Sequence, residues 1–198
     1  IRALAKELNK PIAIMLDTRG PEIRLELFEN HKVELKKGQT FTLCMESISG
    51  NAERASITYK DLPKDVQPGS RILIDDGLVG MTVERVTDTE VCCKVLNAGI
   101  ISDRKGVNIP GAHLSMPFIS PKDREDIIFA IDHGFEFIAA SFTRTADDIL
   151  DVRKLFSQAG RTNVNIIAKI ENMQGVENID DIIRVADGIM VARGDLGV

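Results

Sequence analysis

The chain has 198 residues, 43% hydrophobic and 28% charged, with a formal net charge of −5. That is ordinary globular composition with enough apolar residues to fill a core. The acidic balance and the lack of any long basic run or basic–aromatic alternation argue against nucleic acid as a partner, and no apolar stretch is long enough to span a bilayer.

In chain order, the first ten residues, IRALAKELNK, are amphipathic and too polar for a secretory signal. They open in mid-helix without a methionine, so a piece of a longer chain is expected. Ile12 to Leu16 form a short continuous apolar run followed by Asp17-Thr18-Arg19-Gly20. From Glu22 to Pro117 the pattern changes. KVELKKGQTFTLCM, SRILIDDGLVGMTVERV and TEVCCKVLNAG are alternating or β-branched stretches broken by Gly, Pro, Asn and Asp, and no helix is expected among them. After Pro117, helical patterns alternate with apolar runs. Ser120 reads as an N-cap with Pro121 at the first helical position and Gly134 at the end. Glu136–Ala140, Asn165–Ala168 and Gly188–Ala192 read as strands, with helical spacing from Thr145 to Gly160 and from Asn178 to Gly188. Continuous apolar runs of this length fit strands buried on both faces of a parallel sheet. The expected organisation is therefore an α/β chain, residues 1–21 and 118–198, with an all-β domain, residues 22–117, inserted after the first strand.

Cys44, Cys92 and Cys93 are odd in number and two are adjacent, so they do not form a disulfide framework. Packing residues in a reducing cytosol are the expectation, with a metal or redox role as the alternative. His31, His113 and His133 carry no visible role.

Each buried run is apolar until its carboxyl end and polar there: Asp17-Thr18, Ser141-Phe142, Lys169-Ile170-Glu171 and Arg193-Gly194-Asp195. Ligands of α/β barrels and open α/β sheets sit at that end of the strands. In an extended segment Lys169 and Glu171 face one side and Ile170 the other. Glu171 and Asp195, as two carboxylates from neighbouring strand ends, suit magnesium, which prefers hard oxygens and keeps positions open. A lysine beside them suggests an anionic substrate and points to phosphoryl transfer or enolate chemistry. The backbone N–H groups of Arg193, Gly194 and Asp195 could hold a carboxylate or phosphate. The competing reading of Lys169 and Glu171 is a structural ion pair at a rim. Ser141 reads as a residue that orients its neighbours rather than as a nucleophile, since no partner base is indicated.

These residues identify a resemblance to the pyruvate kinase family. AIMLDTRGPEIR (13–24), ILIDDGLVG (72–80), KGVNIPG (105–111), FIAASFTR (137–144), IIAKIENMQGVENIDDII (166–183) and DGIMVARGDLGV (187–198) resemble the family's motifs and follow its order over nearly the whole chain. The resemblance implies a partial (β/α)8 TIM-type barrel with an inserted all-β, barrel-like lid. It implies a glycolytic, cytoplasmic enzyme that moves the phosphoryl group of phosphoenolpyruvate to ADP, giving pyruvate and ATP, with Mg2+ (or Mn2+) and K+ as cofactors and a homotetrameric parent. By the same resemblance Lys169 contacts the transferring phosphoryl group, and Glu171 and Asp195 hold the divalent ion. Gly194 and the Asp195 amide bind the substrate carboxylate, and Asp17 and Thr18 ligate potassium. Glu22 is the determinant of potassium dependence, and Arg24, Asp76 and Lys105 contact the nucleotide, with Asp75 structural.

Against the family pattern the chain lacks the first barrel strands and everything after Val198. Four parallel strands cannot close a barrel of eight and are expected to leave exposed edges. Two other readings are a lid fragment that binds nucleotide without catalysis, and a magnesium-dependent lyase or aldolase of the phosphoenolpyruvate/pyruvate barrel group. KGVNIPG, as a nucleotide clamp, argues against the lyase.

Overall fold

The structure, a computed structural model, describes residues 1–197, and for Asp195 the backbone alone. In chain order its elements are α1 (Arg2–Glu7), β1 (Met15–Asp17), β2 (Lys32–Leu35), β3 (Thr40–Cys44), β4 (Arg54–Ser56), α2 (Leu62–Asp65), β5 (Arg71–Ile74), β6 (Val79–Val86), β7 (Glu90–Val95), β8 (Gly99–Ser102), β9 (Val107–Asn108), α3 (Pro121–Asp132), β10 (Phe137–Ala140), α4 (Ala146–Gln158), β11 (Asn165–Ile170), α5 (Met173–Glu177), α6 (Ile179–Val185), β12 (Gly188–Val191) and α7 (Arg193–Leu196). They divide into two compact units, residues 1–21 with 118–192, and residues 22–117 with those from 193 on.

The first unit is α/β. Its sheet runs β1-β10-β11-β12, and every neighbouring pair is parallel. The crossovers between β10, β11 and β12 are helical, as parallel pairing requires. The side chains of β11 show how one strand serves two purposes. Ile166, Ala168 and Ile170 are buried among Ile127, Ile149, Val152, Phe156 and Ile182, whereas Ile167 and Lys169 face the other side. Central β10 is almost fully buried, while the outer strands β1 and β12 keep partly exposed side chains. Ser120 caps α3, its hydroxyl accepting from the Asp123 N–H at 3.0 Å, and Pro121 occupies the first turn, where a missing N–H costs nothing. Gly134, just past the helix, takes φ +65°, which a residue with a Cβ adopts only at a cost. The Asp148 carboxylate accepts from the Thr145 N–H at 3.2 Å at the start of α4. The segment from Asn178 folds as α6 and is preceded by a separate short helix, α5, which the Asn172 side chain caps through the Gly175 N–H at 2.8 Å.

The second unit is built on a six-stranded sheet in the order β4-β3-β7-β6-β5-β9 and a two-stranded ribbon, β2-β8, and all the pairs but β3–β4 are antiparallel. Phe41, Leu43, Ile57, Leu62, Ile72, Ile74 and Met81 fill its core. One helix was not expected: α2 is a single turn with proline in its first turn, too short to show helical periodicity. The three cysteines are free and buried. Burial pushes the Cys93 thiol up to about 12, so it is an inert packing group. Among the described residues no helix is long and apolar enough to cross a membrane.

Candidate active site at the strand ends

The carboxyl ends of β1, β10 and β11 bring Asp17, Thr18, Ser141, Lys169 and Glu171 together within the first unit. Parallel pairing sets this up: Leu16 lies opposite Ile138, and Ala140 opposite Ala168, so the residues just beyond each buried run fall at one edge of the sheet. Lys169 and Glu171, two apart, project to one side, and Ile170 between them is buried in the core.

The Lys169 ammonium is the hub. Nζ donates to Asp17 Oδ1 at 3.0 Å and to Ser141 Oγ at 2.9 Å, and lies 3.3 Å from Glu171 Oε1. Its side chain is only 13% exposed, and that of Glu171 is 3% exposed. Burial alone would lower the lysine pKa. The hydrogen bond to Asp17 and the charges of Glu171 and Asp17 outweigh it, so the net direction is upward and the ammonium is held charged. The site thus holds a permanent cation in a poorly hydrated place, where its field is screened less than at the surface.

Glu171 is fixed from a second direction. Its Oε2 accepts the Phe142 N–H at 2.6 Å. Phe142 has φ +56°, in the left-handed region that a bulky residue enters at a cost of roughly 1–2 kcal/mol. That corner turns Phe142 N–H onto the carboxylate while the next amide, Thr143 N–H, donates to the Lys169 carbonyl at 3.2 Å. The Thr143 hydroxyl donates to the Ala140 carbonyl at 2.9 Å, which tightens the turn. Such outliers cluster at functional sites, held by surroundings that over-determine them.

The loop after β1 is equally constrained. Thr18 donates through its N–H at 3.0 Å and its hydroxyl at 3.3 Å to the Ala139 carbonyl, and its hydroxyl accepts the Ser141 N–H at 3.0 Å. The buried carboxylate of Asp123 accepts the N–H groups of Arg19 at 2.8 Å and Gly20 at 3.4 Å. Gly20 has φ +75°, and a Cβ there would stand 2.7 Å from the Ser141 carbonyl oxygen, so only glycine lets the loop pack this closely. Sequence reasoning missed both Asp123, which reads as an ordinary acidic residue in a helical first turn, and the Phe142 corner.

The donor set at this edge is carboxylate, hydroxyl and carbonyl oxygen, with no thiolate or imidazole. It suits hard cations such as magnesium or potassium rather than a soft transition metal. Asp17 remains 60% exposed and can meet a cation from the solvent side. Gly194 and Asp195 lie in α7, one residue after β12. The Asp195 side chain lies outside the described residues.

The nucleotide-contact expectations fall in the second unit. Arg24 pairs with Gly106 in an isolated bridge, Leu25 N–H donates to the Lys105 carbonyl at 2.8 Å, and Asp75 N–H donates to the Gly106 carbonyl at 3.0 Å. Backbone bonds thus bring the three segments bearing Arg24, Asp76 and Lys105 side by side. Arg24 donates to Glu22 Oε2 at 2.7 Å and to the Arg104 carbonyl at 2.8 Å. Lys105 Nζ lies 2.9 Å from Asp75 Oδ1. Asp76 is exposed in the hairpin loop between β5 and β6, with Asp75, Asp76 and Gly77 all at positive φ.

Comparison with known proteins adds an independent line. The family model described as "Pyruvate kinase, barrel domain" matches residues 1–198. A pyruvate kinase of Clostridium acetobutylicum is 51% identical over the whole of this chain and 42% of its own length. One from Staphylococcus saprophyticus is 48% identical over the whole chain and 34% of its own length. The crystal structure of a pyruvate kinase from Cryptosporidium parvum has a TM-score of 0.90 and 43% identity, covering all of this chain and 42% of that one. The chain therefore spans less than half the length of each.

Proposed function

The chain belongs to the pyruvate kinase family, and on that premise we propose that it carries the chemistry moving the phosphoryl group of phosphoenolpyruvate to ADP, giving pyruvate and ATP. The observation that carries this reading is the Lys169 ammonium, little exposed and charged, 2.9 to 3.3 Å from Ser141, Asp17 and Glu171 at the strand ends.

A transferring phosphoryl group spreads negative charge over its oxygens in a loose transition state, and catalysis is mostly positioning and charge stabilisation. Lys169 supplies a cation already in place, so little reorganisation is needed as that charge develops. Glu171 and Asp195 are proposed to hold Mg2+ or Mn2+, and Asp17 and Thr18 to hold K+, with Glu22 setting potassium dependence. A bound divalent ion supplies Lewis-acid polarisation of the phosphoryl oxygens. The Gly194 and Asp195 amides are assigned to the substrate carboxylate. Arg24, Asp76 and Lys105 are assigned to the nucleotide, with the all-β unit as lid. The parent assembly is proposed as a cytoplasmic homotetramer with a closed eight-stranded barrel. Because the matching family is a kinase family, a lyase reading finds no further support.

The test is phosphoryl transfer from phosphoenolpyruvate to ADP, with Mg2+ and K+, in the full-length protein that contains this chain. Lys169→Met is expected to lower kcat by about 10²- to 10³-fold, as removing one preorganised charge donor does. Mn2+ titration with and without the enolpyruvate mimic oxalate, beside Glu171→Gln, checks the metal assignment: oxalate-enhanced binding should vanish in the variant. A Lys169→Met protein with undiminished turnover overturns the reading.

A further inference from the structure

We propose that Ser141 is a positioning residue for this reaction: its hydroxyl, held by the Thr18 carbonyl, fixes the Lys169 ammonium at the point where it faces both Asp17 and Glu171. The inference rests on the role given to Lys169 above.

Ser141 is 2% exposed, and both its N–H and its hydroxyl are hydrogen-bonded. Its N–H donates to Thr18 Oγ1 at 3.0 Å. Its Oγ lies 2.6 Å from the Thr18 carbonyl oxygen and 3.1 Å from Asp17 Oδ1. A hydroxyl has one proton to give, and the nearer carbonyl takes it. The Oγ lone pairs are then left to accept, and Lys169 Nζ donates into them at 2.9 Å. The ammonium's three N–H donors therefore have three targets: Asp17, Ser141 and Glu171.

Those targets are not equivalent. The two carboxylates orient the ammonium but also offset its charge, and an incoming phosphoryl group competes with them for it. The serine hydroxyl orients the ammonium and leaves its charge intact. Of the three described partners it is the one that can stay in place while the lysine turns its field on the substrate. The lysine stem is long and flexible, so without that anchor the ammonium samples more positions.

The corner that follows couples this anchor to Glu171. Ser141 touches the ammonium, and its neighbour Phe142, at φ +56°, donates its N–H to Glu171 Oε2 at 2.6 Å. Two consecutive residues thus hold Lys169 and Glu171. The Gly20 approach to the Ser141 carbonyl keeps the corner from shifting toward the β1 loop.

The experiment uses the full-length protein with Ser141→Ala, Ser141→Cys and Lys169→Met. For Ser141→Ala, kcat should fall about 10- to 100-fold, with the KM for phosphoenolpyruvate and the calorimetric Mn2+ affinity changed less than about threefold, because the loss is of orientation. Ser141→Cys keeps the side chain's size but replaces the hydroxyl with a weak acceptor, and should show the same kcat loss with the wild-type melting temperature. Either variant retaining wild-type kcat overturns the proposal. So does a loss of activity that runs in parallel with lost Mn2+ affinity or a lowered melting temperature in both variants, which would make Ser141 a purely structural residue. Lys169→Met separates the two levels. If it is inactive while the Ser141 variants are normal, only the positioning role fails; if it is fully active, the reading of Lys169 fails first.

Discussion

The two units hold their charged residues in different ways. In the parallel-sheet unit the lysine is 13% exposed and its glutamate partner 3% exposed, and strand register and a left-handed corner fix both. In the all-β unit, the side chains of Arg24 and Lys105 are 40% and 41% exposed, Arg24 pairing with Glu22 and Lys105 with Asp75. The first arrangement is rigid and poorly hydrated, as suits a charge that must be in place before chemistry. The second is solvated and long-stemmed, as suits side chains that change partners when a ligand arrives. The same residue types thus do different work according to burial.

The sharpest way to break this contrast is to remove one charge from each. Lys169→Met leaves Glu171 buried without its cation, and breaking a buried pair from one side costs about 3 kcal/mol or more. Lys105→Met removes a half-exposed partner of Asp75 and should cost no more than about 1 kcal/mol. Urea unfolding of the full-length protein with each variant measures both. A Lys105→Met effect as large as that of Lys169→Met would erase the distinction. Raising the salt from about 0.05 to about 1 M, roughly twentyfold in ionic strength, sharpens it: whatever Lys105 contributes should vanish, while most of the Lys169 contribution persists, because exposed pairs are screened and poorly hydrated ones much less so.

A smaller effect tests the corner. Phe142→Gly keeps the N–H to Glu171 and removes the cost of φ +56°, but it also frees the unfolded chain and deletes the ring. The backbone terms nearly cancel, which leaves the loss of the half-buried ring, so stability should fall by about 1–2 kcal/mol. The same substitution at Ser141, which lies outside the left-handed region and is 2% exposed, should be the more harmful to turnover.

Much of this arrangement was legible in the sequence because it follows short periods. The two-residue alternation of a strand places Lys169 and Glu171 on one side of β11, and the strand read at Glu136–Ala140 is a buried one over Phe137–Ala140. The first strand was read at Ile12–Leu16 but spans Met15–Asp17. Its apolar residues begin before its pairing does, and pairing depends on where Met15 meets Phe137, 122 positions away in a chain whose register no local pattern records. The one-turn helices α2 and α5 are shorter than the helical period needed to reveal them. The Ser141–Lys169 contact depends on cross-strand register, Asp123 holds an amide 104 residues away, and nothing about a phenylalanine announces a positive φ. Local chemistry was readable, and long-range positioning was not.

The smallest effect concerns a solvated pair that links three elements of the first unit. Glu136, just before β10, is held well below the usual carboxylate range, at about 2, first by the hydrogen bond from Arg2 at 2.6 Å and then by the Ile14 N–H at 2.8 Å. Arg2 also donates to the Gly134 carbonyl at 2.5 Å, so the pair ties the N-terminal helix and the β1 approach to the end of α3. A carboxylate with a depressed folded-state pKa stabilises the fold at any pH above its unfolded value, near 4.5, and that contribution is lost as pH falls through about 2. The Glu136→Gln protein lacks the ionisation but keeps a side-chain oxygen for the Ile14 N–H. The melting temperatures of wild type and variant should therefore differ by a constant amount above roughly pH 5 and converge between there and pH 2, the other carboxylates being common to both. The gap above pH 5 should be small, since both partners are solvated. A gap that fails to close in acid would mean that Glu136 acts by packing rather than by charge.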